Sequence, residues 1–167
     1  MDDMRYFVLT FIFVLVGLAG LSVYRSITTE TGPQPKPATG GIQDVAGITV
    51  QMLNTRDDGV KMIYSQDVLR VDVGDTVTWL PTDLGHNVEF VAWPEGFEKP
   101  KASKLSESFT WTFDIPGVYV YVCTPHVKAG MVALVVVGND LSNKDAVSEV
   151  TLFGESTTRL EKFFSTL

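Results

Sequence analysis

The chain has 167 residues and a formal net charge of −7, with no long basic run. That length carries one domain with a real hydrophobic core and short appendages, and the lack of clustered Lys and Arg argues against nucleic acid as a partner. A single cysteine excludes an intramolecular disulfide, so the domain must stand on its core.

Residues 6–24 form an almost uninterrupted apolar run without a charge, bracketed by Arg5 and Arg25. As a helix the run spans about 28 Å, close to the ~30 Å hydrocarbon thickness of a bilayer. Residues 1–25 therefore read as an N-terminal transmembrane anchor with its N-terminus inside. The competing reading is a cleaved signal peptide, which would leave a soluble periplasmic protein. Its apolar region is usually shorter, roughly 7–15 residues, and the one small-x-small stretch, Gly17-Leu18-Ala19, lies inside the run. Residues 26–47 read as a linker. From Thr31 to Gly47 they carry three prolines and four glycines, which cannot bury enough surface to fold and act as a spacer. Fully extended, that stretch reaches at most ~60 Å.

After residue 47 short apolar segments alternate with turn residues. Strands are predicted at 48–53, 62–64, 68–73, 76–80, 87–92, 108–113, 118–123 and 131–137, punctuated by Asp57-Asp58-Gly59, Gly74-Asp75 and Ile115-Pro116-Gly117. Eight short strands in about ninety residues predict an all-β sandwich over 48–138. The last two strands are apolar on both faces: Val118, Val120 and Val122 lie on one, Tyr119, Tyr121 and Cys123 on the other. A sandwich strand is ordinarily wet outside, so something must cover this face. Residues 139–167 supply the cover as two short amphipathic helices. The first is predicted over 142–153, with Ser142 as cap, Gly154 as stop and Ala146, Val147, Val150 and Phe153 on one stripe. The second carries a Thr158–Glu161 capping box and the stripe Leu160, Phe163, Phe164 and Leu167.

The informative segment is Cys123-Thr124-Pro125-His126-Val127-Lys128-Ala129-Gly130-Met131. A thiolate, an imidazole and a thioether fall within nine residues, on a loop between two strands. Two imidazoles and a thiolate in a plane, with a distant Met, is the donor set of blue copper. The other imidazole must come from His86, the one remaining histidine. Zinc accepts two histidines and a cysteine but rarely recruits Met as a fourth ligand in structural sites.

With these residues in view, the chain from about residue 48 onward resembles the cupredoxin family, type 1 blue-copper proteins, and pseudoazurins in particular. The matching stretches are Met52-Leu53-Asn54, Gly74-Asp75-Thr76-Val77-Thr78, Pro81-Thr82-Asp83, Gly85-His86-Asn87-Val88-Glu89, Pro116-Gly117-Val118-Tyr119, Cys123-Thr124-Pro125-His126 and Gly130-Met131. Plastocyanin shares the ligand-loop spacing; the C-terminal helices tilt the likeness toward pseudoazurin. The resemblance implies an eight-stranded Greek-key sandwich and one copper held by His86, Cys123, His126 and Met131. It also implies that Asn87 ties the two ligand loops together and supports the thiolate. Lys128 departs from the family pattern, standing where an apolar rim should surround His126.

Catalysis at copper needs an open coordination position or a second metal, and both histidines are already spent. The expectation is an electron carrier, not an enzyme. It would exchange single electrons with redox proteins (a cytochrome, or a copper reductase or oxidase) outside the cytoplasm. His126, flanked by Pro125 and Val127, is the expected exposed edge. Val127 and Lys128 are the expected docking residues, and Lys99, Lys101 and Lys104, close together in sequence, either add docking charge or form a solvated loop. Two other readings stand beside this one: copper delivery or storage, and a copper-free β-sandwich binding module.

Overall fold

The computed structural model describes residues 47–167. The expected anchor over 1–25, and the linker apart from Gly47, lie outside the described residues. Among those described, no helix is long and apolar enough to cross a membrane.

Among the described residues eight strands form in chain order: β1 (Ile48–Thr55), β2 (Lys61–Tyr64), β3 (Val68–Val71), β4 (Thr76–Leu80), β5 (Glu89–Ala92), β6 (Phe109–Thr112), β7 (Gly117–Val122) and β8 (Val132–Val137). They build two four-stranded sheets, ordered β2-β1-β4-β6 and β3-β8-β7-β5. Pairs β1–β4 and β3–β8 are parallel and the others antiparallel. The predicted strands are all present, with small shifts at their ends. Strand β3 stops at Val71, two residues early, because the Asp75 carboxylate accepts the Asp72 N–H (2.8 Å) and turns the chain. Strand β5 starts at Glu89, because the Val88 N–H is taken by the Ser103 hydroxyl (2.9 Å) before it can join the ladder.

Alternation decides which side chains meet between the sheets. Val50, Met52, Val77 and Trp79 from one sheet pack against Leu69, Phe90, Tyr119, Tyr121, Ala133 and Val135 from the other. Trp79 contacts Tyr121 with ring centroids 5.4 Å apart and Phe90 at 6.2 Å, both edge-on, as aromatic quadrupoles prefer.

The outer face of β7 and β8 is covered, as the pattern requires. Val118, Val120, Val122, Val132, Leu134 and Val136 form a second buried cluster with Val147, Leu160, Phe163 and Phe164 of the C-terminal helices. Those helices are α1 (Lys144–Ser148) and α2 (Glu155–Phe164). Their limits correct the sequence reading. Helix α1 is far shorter than 142–153; Ser142 does not cap it, Ala146 is exposed, and Phe153 is 61% exposed. The Asn143 amide instead pairs with both backbone groups of Val118 (2.8 and 2.9 Å), pinning the entry of α1 to β7. Gly154 precedes α2 rather than ending α1, and Thr158 and Glu161 lie within α2, so no capping box forms there. The start of α2 is set by tertiary contact. Gly154 sits at φ +66° against the backbone of Lys128, where a Cβ would not fit, and the Ser156 hydroxyl donates to the Val127 carbonyl.

Candidate metal centre

The site lies where β7 runs into β8. Their register pairs Val122 with Val132, and the ladder continues one step as the Cys123 N–H donates to the Met131 carbonyl (3.0 Å). Cys123 and Met131 therefore belong to the inner face, and both are fully buried in the inter-sheet cluster. Between them residues Thr124–Ala129 form a 3-10 helix opened by Pro125, whose fixed φ suits a first turn. Gly130 closes it at φ +94°, a left-handed position that glycine fills without strain. This short turn brings His126 back over Cys123, its N–H bonded to the Cys123 carbonyl (3.0 Å). The Met131 N–H in turn donates to the His126 carbonyl (3.2 Å).

His86 arrives from the β4–β5 connection. Ser106 holds that connection from both sides: its N–H donates to the His86 carbonyl (2.9 Å) and its hydroxyl accepts the Gly85 N–H (2.8 Å). The His86 and His126 Nδ1 atoms then lie 3.1 Å apart, and Cys123 Sγ lies 3.7 Å from the first and 3.4 Å from the second. First-row metal bonds of ~2.0–2.3 Å place three donors around one ion at roughly 3.4–3.8 Å from each other. Two sides of the observed triangle fall in that range and the His86–His126 side is slightly shorter, and the triangle fits one ion.

Two asparagines hold this triangle. Asn54 Oδ1 lies 3.0 Å from His86 Nε2, which fixes the ring with Nδ1 facing Cys123. Asn87 joins the two loops through Thr124. Its Oδ1 accepts the Thr124 N–H (2.8 Å), and its Nδ2 donates to the Thr124 hydroxyl oxygen (3.0 Å) and the Ser103 carbonyl (3.2 Å). The Tyr64 hydroxyl donates to the Asn87 carbonyl (2.7 Å), anchoring the loop to the core. Asn54 was not singled out from the sequence. It falls in a matching stretch, but nothing local distinguishes it from its neighbours, and its partner is 32 residues away.

Burial pushes the Cys123 thiol up from its ordinary range, partly offset by N–H groups of Asn87 and His126. Burial, and next the neighbouring His126, holds His86 below the usual imidazole range, against a weaker pull from Asp83. Both shifts favour uncharged groups packed tightly together. A cation bound among them would reverse that preference for the thiol, because a metal ligand must be deprotonated.

His86 is 0% exposed whereas His126 is half-buried, so of the two imidazoles His126 reaches toward solvent. Around it Pro125, Lys128 and Ala129 are exposed and Val127 is half-buried against the outer cluster. The expected basic group is partly neutralised. Lys99 pairs with Glu89 (3.1 Å) and lies 5.6 Å from the Trp93 ring centroid, while Lys104 reaches Glu107 (3.5 Å). Among the described residues Lys101 and Lys128 have no carboxylate within 4.0 Å.

A family model described as copper binding proteins, plastocyanin/azurin family, matches residues 50–138. A putative pseudoazurin of Rhizobium leguminosarum bv. viciae is 47% identical over 100 residues, covering 59% of this chain and 64% of that protein. The pseudoazurin of Paracoccus pantotrophus is 40% identical over 114 residues, covering 67% of this chain and 77% of that one. Among solved structures, the pseudoazurin of Methylobacterium extorquens superposes with a TM-score of 0.67 at 36% identity, covering 72% of this chain and 98% of that one. The pseudoazurin from Hyphomicrobium denitrificans gives 0.68 at 35%, covering 73% and 98%. The donor triangle, the two-sheet fold that holds it and these likenesses agree: the chain belongs to the plastocyanin/azurin family of copper-binding proteins and is pseudoazurin-like within it.

Proposed function

We propose that His86, Cys123, His126 and Met131 hold a single copper in this electron-transfer protein, and that the exposed edge of His126 is where electrons enter and leave. Copper so bound supplies one-electron exchange between Cu(II) and Cu(I). The observation that carries the assignment is the convergence of three donor atoms on one point, His86 lying 37 and 40 residues before Cys123 and His126 of the ligand loop. Burial of Cys123 and Met131 keeps water from the inner side of the site. Asn54 and Asn87 hold the rings and loops in place, so little needs to rearrange when the charge at the centre changes.

Docking falls to the surface around His126. Pro125 and Ala129 are exposed on the ligand loop, and Leu84, two residues before His86, is 74% exposed. A small apolar patch with peripheral charge suits the brief complexes that electron carriers form with redox proteins. Among the described residues Lys128 and Lys101 pair with no carboxylate and supply its charge; Lys99 and Lys104, already paired, contribute less. In the same reading residues 1–25 anchor the protein, 26–47 form a spacer, and residues 48–138 with the helices of 139–167 stand on the periplasmic side. Copper delivery or storage fits less well, because a buried, cross-braced donor set does not release its metal readily.

The test is the visible spectrum of the full chain after adding Cu(II), beside that of Cys123→Ser. An intense thiolate-to-copper band present in the first and absent in the second is the expected result. A colourless, folded wild type overturns the assignment.

A further inference from the structure

The ligand loop is gripped from outside the sandwich, by α2. The end of the 3-10 turn meets α2, which adds contacts to carbonyls that already accept within the loop: Val127 takes the Gly130 N–H (3.1 Å) and Gly130 takes the Val132 N–H (2.9 Å). The Ser156 hydroxyl donates to the Val127 carbonyl, and Gly154 lies against the backbone of Lys128. The third contact is the most specific. Arg159 Nη1 donates to the Gly130 carbonyl (2.9 Å) and to the Met62 carbonyl of β2 (3.1 Å), while Nη2 donates to the Lys61 carbonyl (3.2 Å) and to Glu155 Oε2 (3.2 Å). One guanidinium thus collects three backbone carbonyls from two segments that lie 97–98 and 29 residues before it in sequence.

The fit is close. The Arg159 side chain is 19% exposed, and a Cβ added to Gly130 would lie 2.6 Å from both Cζ and Nε, so the guanidinium occupies the space a side chain would take. Met62 holds a left-handed backbone at φ +48°, uncommon for a non-glycine residue, at the point where its carbonyl meets the same group. A planar fork with five donors satisfies such an arrangement; a lysine ammonium, a point charge on a flexible stem, does not.

We infer that Arg159 is a positioning residue for the metal centre: by fixing the Gly130 carbonyl it sets where the next residue, Met131, presents its sulfur. Met131 would be the weak fourth ligand of a bound copper, and such a thioether tunes the potential, so a contact that fixes the peptide bond before Met131 would act on the copper without touching it. The inference rests on the ligand assignment proposed above.

The test uses the full chain as wild type, Arg159→Gln, Arg159→Lys and Leu160→Ala. The last weakens α2 through the outer apolar cluster and leaves the carbonyl contacts alone. Two readouts are taken: hydrogen exchange at the Gly130 and Met131 amides of the metal-free protein, and the visible spectrum and reduction potential of the copper-loaded protein. Arg159→Gln should speed exchange at those two amides at least tenfold more than within β7, and should shift both spectrum and potential. Arg159→Lys should recover part of each change, and it carries the test if the glutamine variant fails to fold. Wild-type values in the Arg159 variants, or the same changes in Leu160→Ala, overturn the role. A wild type that binds no copper overturns the ligand assignment and with it the claim for Met131, whereas a coloured wild type with unaltered variants overturns the role of Arg159 alone.

Discussion

Replacing Asn87 by Ala should loosen the metal centre and destabilise the domain by an amount that the geometry allows to be bounded. The side chain is 5% exposed and makes three hydrogen bonds, two to Thr124 and one to the Ser103 carbonyl. Each is worth about 0.5–1.5 kcal/mol net, and a buried group left without a partner costs about 1–3 kcal/mol. Thr124 is exposed and Ser103 half-buried, so water recovers part of the loss. The sum is about 2–4 kcal/mol, enough to move a urea midpoint by roughly a molar unit or more at the slopes usual for small domains. The assay is urea unfolding of the metal-free protein, with the visible spectrum of the copper-loaded protein alongside. Adding Thr124→Val makes a double-mutant cycle whose coupling should lie in the range of about 0.5–3 kcal/mol found for direct contacts. A loss below about 0.5 kcal/mol, with an unchanged spectrum and no coupling, would refute the view that Asn87 is the brace between the loops.

Asn54→Leu removes the oxygen facing His86 Nε2; copper affinity should fall about 10–100-fold in a competition titration, as for other groups that orient a metal-bound histidine, and an unchanged affinity would count against that role. Phe163→Ala opens the cluster between α2 and the outer face of β8, where the ring is 6% exposed; the expected loss is about 3 kcal/mol by urea or thermal unfolding, and a loss under 1 kcal/mol would mean that α2 contributes little to the fold. The Asp58 carboxyl is held below its ordinary pKa, first by the Arg56 guanidinium and then by the Val60 N–H. A lowered folded-state pKa gives stability that is complete above the unfolded value and lost as pH falls through the folded one. The gap between wild type and Asp58→Asn should therefore be open at pH 7 and close in acid below the folded pKa of Asp58; a gap that widens there would reverse the sign.

Much of this protein could be read locally. The eight strands came from Val, Thr and aromatic runs broken by turn residues, because alternation over four to eight residues reports directly on which faces are buried. The two apolar faces of β7 and β8 even implied their cover, and Leu160, Phe163 and Phe164 supply it. Cys123, His126 and Met131 stand close in sequence on one loop, and His86 completes the set because the chain has no further histidine. Helix ends were another matter. Gly154 looked like a stop and Thr158 like the start of a capping box, yet α2 begins at Glu155 because Gly154 and Ser156 meet the ligand loop. Local capping signals are worth about 1 kcal/mol, and a contact with a loop that is itself fixed by two sheets outweighs them. Asn54 and Arg159 carry no signature at all, since one surface asparagine or arginine looks like another until the fold brings in its partner. Local sequence thus determined the strands and named the candidate donors. Which nitrogen of His86 faces the thiol, and what holds the ligand loop closed, depend on contacts between segments about 30 to 100 residues apart, and only the packed structure decides them.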